Sequence, residues 1–107
     1  MRKVLFVCTA NLQRSPTAER LFQNWNGIWD ARSAGVMPHP DGNLLTQALI
    51  DWADLIIVME PIHAEHIQGY FHCPREKLSI LNIADRYFRD DPELVRELKK
   101  KVPSLLE

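Results

Sequence analysis

Cysteine is scarce in this sequence: Cys8 and Cys73 are the only two in 107 residues. That is too few for the disulfide framework of a small secreted domain, and both thiols are expected to be reduced. Charge of one sign is scarce as well. Thirteen basic against 14 acidic side chains leave a formal net charge of −1, which provides no field for nucleic acid or an anionic membrane, so any attraction for an anion must be local. Long apolar runs are missing too, and none approaches the roughly eighteen residues of a bilayer-spanning helix. The run Val4-Leu5-Phe6-Val7 gives way to polar Asn11, Gln13 and Arg14, too soon for the apolar region of a signal peptide. A cytoplasmic protein is expected. Repeats, low-complexity tracts and linkers are also lacking, so one domain over residues 1–107 is expected, with a composition (46% hydrophobic, 25% charged) typical of an ordinary globular chain.

Four runs rich in β-branched or bulky apolar residues read as strands: Lys3 to Cys8, Ile28 to Ser33, Asp54 to Met59 and Leu78 to Ile83. The first and third are almost continuously apolar, which suits strands covered on both faces. A helical pattern follows each. The first helix is expected to have Ser15 as N-cap and Pro16 at its first position, with Ala18, Leu21, Phe22 and Trp25 as its buried stripe and Gly27 as its end. The second is expected to start near Asp41 to Asn43, burying Leu45, Ala48, Leu49 and Trp52, and the third to run from Pro61 to near Gly69. The last starts at Asp91-Pro92, turns Leu94, Val95, Leu98 and Val102 inward, and ends in Lys99-Lys100-Lys101, read as a solvated run favoured by the helix dipole. Trp25, Trp29 and Trp52 read as core residues. Alternating strands and helices with right-handed crossovers predict a three-layer α/β/α sandwich, flavodoxin-like, with a four-stranded parallel sheet in the order 2-1-3-4. Ligands of such folds bind at the carboxyl ends of the strands.

At the carboxyl end of the first strand stands Cys8-Thr9-Ala10-Asn11-Leu12-Gln13-Arg14-Ser15-Pro16, a cysteine and an arginine separated by five residues and leading into a helix. The spacing alone is common; its place between strand and helix gives it meaning. A loop of this length can wrap a tetrahedral phosphate with its backbone N–H groups while the helix N-terminus adds positive charge. Residues Thr9 to Ser15 would form that cradle, and the planar fork of Arg14 would grip two phosphate oxygens. The same donors favour a thiolate on Cys8, placed for in-line attack on phosphorus through a phosphocysteine intermediate. Ser15 can donate to the sulfur, and Asn11 can brace the loop. The bland alternative makes Cys8 a small buried hydrophobe and Arg14 a surface charge.

The leaving oxygen needs a proton, so a carboxylic acid belongs across the pocket. Asp85, just beyond the fourth strand, is the first candidate. Asp90 and Asp91 are rivals, although Asp91 before Pro92 also suits an N-cap. Tyr87 and Phe88 are candidates for walling an aromatic substrate, with core packing the competing explanation.

These residues resemble the low-molecular-weight protein tyrosine phosphatase family. Its signature is an N-terminal strand, then Cys, five residues with Asn third, Arg-Ser-Pro and a helix opening in Ala-Glu. Here that is Val7-Cys8, Asn11, Arg14-Ser15-Pro16 and Ala18-Glu19. Ser33-Ala34-Gly35 and Asp54 to Glu60 resemble the family's second and third strands. Asp85-Arg86-Tyr87 stands where members carry Asp-Pro-Tyr, without the proline. The resemblance spans nearly the whole chain and implies dephosphorylation without metal or cofactor, Cys8 as nucleophile, Arg14 as phosphate clamp and Asp85 as general acid. It implies a phosphorylated protein or small phosphate monoester as substrate, phosphotyrosine above all. The chain is short around Val36 to Asn43, where members have a longer specificity loop with an aromatic, and most resembles short bacterial members. Ala10 replaces a common loop glycine, and Gln13 replaces a cysteine that many members use to protect the nucleophile.

Two other functions compete. A non-catalytic phosphate-binding module would use the same cradle without turnover. A thiol-dependent arsenate reductase would need two further cysteines, and only Cys73 is available. His63, His66, His72 and Cys73 lack a usual zinc spacing and read as exposed histidines and an idle thiol.

Overall fold

The computed structural model describes residues 1–107. Its strands are β1 (Arg2–Cys8), β2 (Trp29–Gly35), β3 (Leu55–Val58) and β4 (Leu78–Ile80), and its helices α1 (Arg14–Phe22), α2 (Gln47–Trp52), α3 (Pro61–Tyr70) and α4 (Pro92–Lys101). The strands form one sheet in the order β2-β1-β3-β4, every neighbouring pair parallel. This is the expected order, and its reason lies in β1 and β3. Successive side chains of a strand point to opposite faces, so Val4, Phe6, Cys8, Ile57 and Met59 enter one core with Ala18 and Phe22 of α1 and Leu94 and Leu98 of α4. Leu5, Val7, Ile56 and Val58 enter the other, with Ile50 of α2 and Ile67 of α3. Strands apolar on both faces need cover on both. Trp29 adds a polar tie, its indole N–H donating to the Leu106 carbonyl at 2.9 Å.

Several boundaries differ from expectation. Ser15 does not cap α1: the N-cap is Gln13, without a side-chain cap, because the Ser15 hydroxyl is engaged inside the phosphate-loop region described below. The helix ends at Phe22 rather than Gly27. Trp25 then packs edge-on against Phe22 at 5.0 Å between ring centroids, and Gly27, at φ +68°, closes a separate 3₁₀ turn. The second helix starts later than Asp41 to Asn43. Its cap is Thr46, whose hydroxyl accepts from the Leu49 N–H. Leu45 is buried ahead of it, and Ile50 rather than exposed Ala48 is its buried residue.

β4 is shorter than the apolar run, but its continuation keeps to the sheet. The N–H groups of Leu81 and Ile83 donate to the carbonyls of Val58 and Met59 at 2.9 and 2.8 Å, and Asn82 takes φ +59° between them. Asp91 does cap α4, accepting from the Glu93 N–H at 2.9 Å. Of the lysine run, Lys99 and Lys100 are exposed, but Lys101 reaches back to the Leu81 carbonyl at 3.1 Å and so holds the exit of β4. Trp52 is half-buried, packed against the second core with the Arg32 guanidinium over its ring. No helix is long and apolar enough to cross a membrane.

Candidate active site

The carboxyl ends of β1, β3 and β4 bring together residues far apart in sequence. A cavity of about 240 Å³ is lined by Cys8, Thr9, Ala10, Leu12, Gln13, Arg14 and Asp85. Its floor is the loop between β1 and α1, whose carbonyls are pulled outward. Cys8 and Thr9 carbonyls accept from the Val36 and Met37 N–H groups at 3.1 and 2.8 Å. The Leu12 carbonyl accepts from the Arg89 guanidinium at 2.9 Å, and that of Gln13 from the Thr17 hydroxyl at 2.7 Å. In a trans peptide the N–H opposes the C=O, so the amides of Thr9, Ala10, Gln13 and Arg14 are directed toward the hollow. Asn11, at φ +59°, reverses the chain in the middle, a conformation that asparagine tolerates better than most side chains. Such a ring of inward amides is an anion site.

Asn11 also fixes the sulfur's surroundings. Its Oδ1 accepts from the Asn43 backbone N–H at 2.9 Å, which sets the amide's orientation. Its Nδ2 therefore donates to Ser15 Oγ at 2.9 Å and to Ser33 Oγ at 2.8 Å. The Ser33 hydroxyl in turn donates to Glu19 Oε1 at 2.5 Å. Ser15 Oγ lies 3.0 Å from Cys8 Sγ and accepts from Asn11, so its own proton can go to a thiolate, the Ala34 carbonyl at 3.4 Å being the longer alternative acceptor. The hydroxyl expected to cap the first helix serves the sulfur instead.

Arg14 is 1% exposed and anchored through one of its terminal nitrogens. Its Nη1 donates to Glu60 Oε2 at the end of β3 and to the Ile83 carbonyl, both at 2.7 Å. That double anchor leaves the Nε–Nη2 edge for the cavity, where Nε stands 3.7 Å from Asp85 Oδ1 and Nη2 3.3 Å from Thr9 Oγ1. Two parallel N–H groups on one edge match two oxygens of a phosphate.

The three acidic candidates separate in space. Asp85 lines the cavity with 60% of its side chain exposed. Asp90 is paired with Arg20 at 2.7 Å, and its backbone N–H donates to Thr17 Oγ1. Asp91 is the α4 cap. The segment carrying them is latched to the loop beneath: the Arg89 N–H donates to Gln13 Oε1. Tyr87 and Phe88 do not line the cavity. Tyr87 is half-buried against the core that contains Phe22 and Leu94, and Phe88 is 78% exposed.

Sequence reasoning missed Glu60, Gly35, Gly42 and His63. Gly35 and Gly42 are needed for close approach: a Cβ on Gly35 would stand 2.6 Å from the Ala10 carbonyl carbon, and one on Gly42 2.2 Å from the Ala10 oxygen. His63, expected to be exposed, is entirely buried. Burial first, then the Arg14 guanidinium, lower its pKa from 6.5 to about 4. The remaining histidines stay apart from it in role: His66 stacks on Tyr70 at 4.7 Å, and no group of three or more His, Cys, Asp or Glu side chains forms a metal-holding cluster. Both cysteines are free, and burial pushes the half-buried Cys73 thiol up.

A thiol under a ring of amides, beside an anchored guanidinium and opposite a carboxyl, defines a cysteine-dependent phosphatase. The family model for low molecular weight phosphotyrosine protein phosphatases matches residues 3–49. A protein-arginine-phosphatase of Bacillus subtilis (strain 168) is 32% identical over 103 residues, 73% of this chain and 69% of its own. This chain belongs to the low-molecular-weight phosphotyrosine protein phosphatase family. Among solved structures, the arginine phosphatase YwlE, as a cysteine-to-serine mutant with a phosphorylated active-site serine, superposes with TM-score 0.78 at 25% identity, covering 98% of this chain and 96% of its own. A low molecular weight protein tyrosine phosphatase from T. tengcongensis gives TM-score 0.74 at 20% identity, over 94% and 92% of the two chains.

Proposed function

We propose that this phosphatase hydrolyses phosphotyrosine in proteins, with Cys8 as nucleophile, Arg14 as phosphate clamp and Asp85 as general acid and base. The observation that carries the assignment is the convergence of these three side chains on one cavity. The loop amides and the free edge of Arg14 hold the phosphoryl oxygens, and the Cys8 thiolate, stabilised by the Ser15 hydroxyl, attacks phosphorus. As the S–P bond forms, the O–P bond to the tyrosine breaks and Asp85 gives its proton to the departing phenolate oxygen. Asp85, now ionised, takes a proton from water; the oxygen of that water attacks phosphorus, the S–P bond breaks, and inorganic phosphate leaves with the thiolate restored.

Apolar Ala10 and Leu12 in the cavity lining favour an aromatic ring over a charged group. The exposed side chain of Met37, whose own backbone N–H holds the Thr9 carbonyl, adds apolar surface nearby. Phosphoarginine is the second reading, favoured by the Bacillus subtilis relative; its guanidinium would have to rely on Asp85. Two unpaired thiols suit a reducing compartment, and we place the enzyme in the cytoplasm. Initial rates on matched phosphotyrosine and phosphoarginine peptides test the substrate. Faster kcat/KM on phosphotyrosine is expected, the reverse ranking transfers the assignment to phosphoarginine, and turnover of neither by a protein that still binds phosphate defeats the enzymatic reading.

A further inference from the structure

His63 is the one fully buried titratable side chain at this end of the sheet that the reaction above does not use. It sits at the third position of α3, directly behind the phosphate loop. Its Nδ1 is 3.1 Å from the Glu60 backbone nitrogen, and because a backbone amide can only donate, Nδ1 must accept. A neutral imidazole carries one proton, so that proton is on Nε2, which lies 3.0 Å from Thr9 Oγ1. Thr9 Oγ1 thus accepts from His63, and it accepts again from Arg14 Nη2 at 3.3 Å. Both its lone pairs are engaged and its own proton has to go elsewhere, while Thr9 lines the cavity beside Cys8.

We infer that His63 is a positioning residue, which by holding Thr9 Oγ1 as an acceptor turns the Thr9 hydroxyl proton toward the cavity as a further hydrogen-bond donor to a phosphoryl oxygen. The inference deepens the phosphatase reading and rests on it. The backbone amides and Arg14 donate from the floor and one edge, and Thr9 adds a neutral donor between them. A buried imidazole suits this task because it stays neutral: burial and the nearby Arg14 disfavour its cation, outweighing the opposite pull of Glu60 and Asp85, with His66 a small further push the same way. A protonated ring would put a second N–H against the Glu60 amide and break the relay at its origin.

The test uses inorganic phosphate as the probe and p-nitrophenyl phosphate as the substrate. Losing a hydrogen bond to a charged group weakens binding by roughly tenfold to a hundredfold. Thr9→Val and His63→Asn are each expected to raise the phosphate inhibition constant and KM within that range while lowering kcat less. The asparagine can still accept from the Glu60 amide but is too short to reach Thr9. The double variant is expected to be no weaker in phosphate binding than the weaker single variant, since both break one relay. A merely structural His63 would lower thermal stability with the phosphate constant unchanged, or give effects that multiply in the double variant; either result overturns the inference. Should His63→Asn not fold, the ring ¹⁵N shifts of the wild-type protein decide: Nε2–H is required, and Nδ1–H refutes it. Phosphate affinity measured in a Cys8→Ser background keeps this test separate from turnover, so the relay can fail while the phosphatase reading stands, and the reverse.

Discussion

Replacing His63 by asparagine is expected to flatten the pH dependence of stability below neutrality. Burial, then Arg14, then His66 disfavour the imidazolium, against Glu60 and Asp85, and the folded-state pKa is lowered from 6.5 to about 4. A depressed folded pKa means that, as pH falls below 6.5, the unfolded chain takes up a proton that the native chain refuses. The stabilisation is complete above the unfolded value and is lost as pH falls toward the folded one. The whole interval corresponds to about 3 kcal/mol, and by about pH 5 the loss from this one group is about 2 kcal/mol. That is a large fraction of the stability of a small domain. Urea unfolding of the wild-type protein and His63→Asn at about pH 7 and about pH 5 isolates it, because carboxylate contributions are common to both chains. The wild type is expected to lose about 2 kcal/mol more than the variant between the two conditions. Parallel losses would show that the buried imidazole takes up its proton as readily in the folded chain as in the unfolded one, and would refute the reasoning.

Three further outcomes follow from the site. Asp85→Asn is expected to lower kcat on phenyl phosphate about a hundredfold and less on p-nitrophenyl phosphate, whose leaving group needs a proton less; steady-state rates on both check it, with Asp90→Asn expected to leave kcat near wild type and cost at most about 1 kcal/mol through its exposed pair with Arg20. Glu60→Ala removes one of the two anchors of Arg14 Nη1; it is expected to raise KM and to cost about 1–3 kcal/mol in chemical denaturation, less than breaking a fully buried pair because Glu60 is one-third exposed. Gly42→Ala brings a methyl group within 2.2 Å of the Ala10 oxygen; the displaced loop is expected to lose at least about tenfold in kcat/KM, with an overpacking cost of about 1–3 kcal/mol in thermal unfolding.

The sheet was legible because β1 and β3 are apolar on both faces and each strand is followed by a helical stripe; no other layering covers Leu5 and Phe6 at once. The phosphate loop was legible because a cysteine ending a strand and Arg14-Ser15-Pro16 opening a helix are local in sequence. Helix starts were harder. Ser15 has the chemistry of a cap, but a cap satisfies one backbone amide, whereas here the hydroxyl closes a chain from Asn43 through Asn11 to the sulfur, and tertiary bonds took it. Glu60 and His63 carry no local mark of their roles, since each acts on a residue some fifty positions away and only the sheet order brings them together. The two loop-packing glycines, likewise, answer to the backbone of Ala10 across the fold rather than to a turn of their own.

Acid quenching of wild-type enzyme during turnover of p-nitrophenyl phosphate, followed by peptide mass spectrometry, asks most directly whether the sulfur beneath the amide ring performs the chemistry. A phosphoryl group on the peptide containing Cys8, together with loss of turnover in Cys8→Ser, is the predicted result. Phosphate on any other residue, or a Cys8→Ser protein that keeps wild-type turnover, would contradict it.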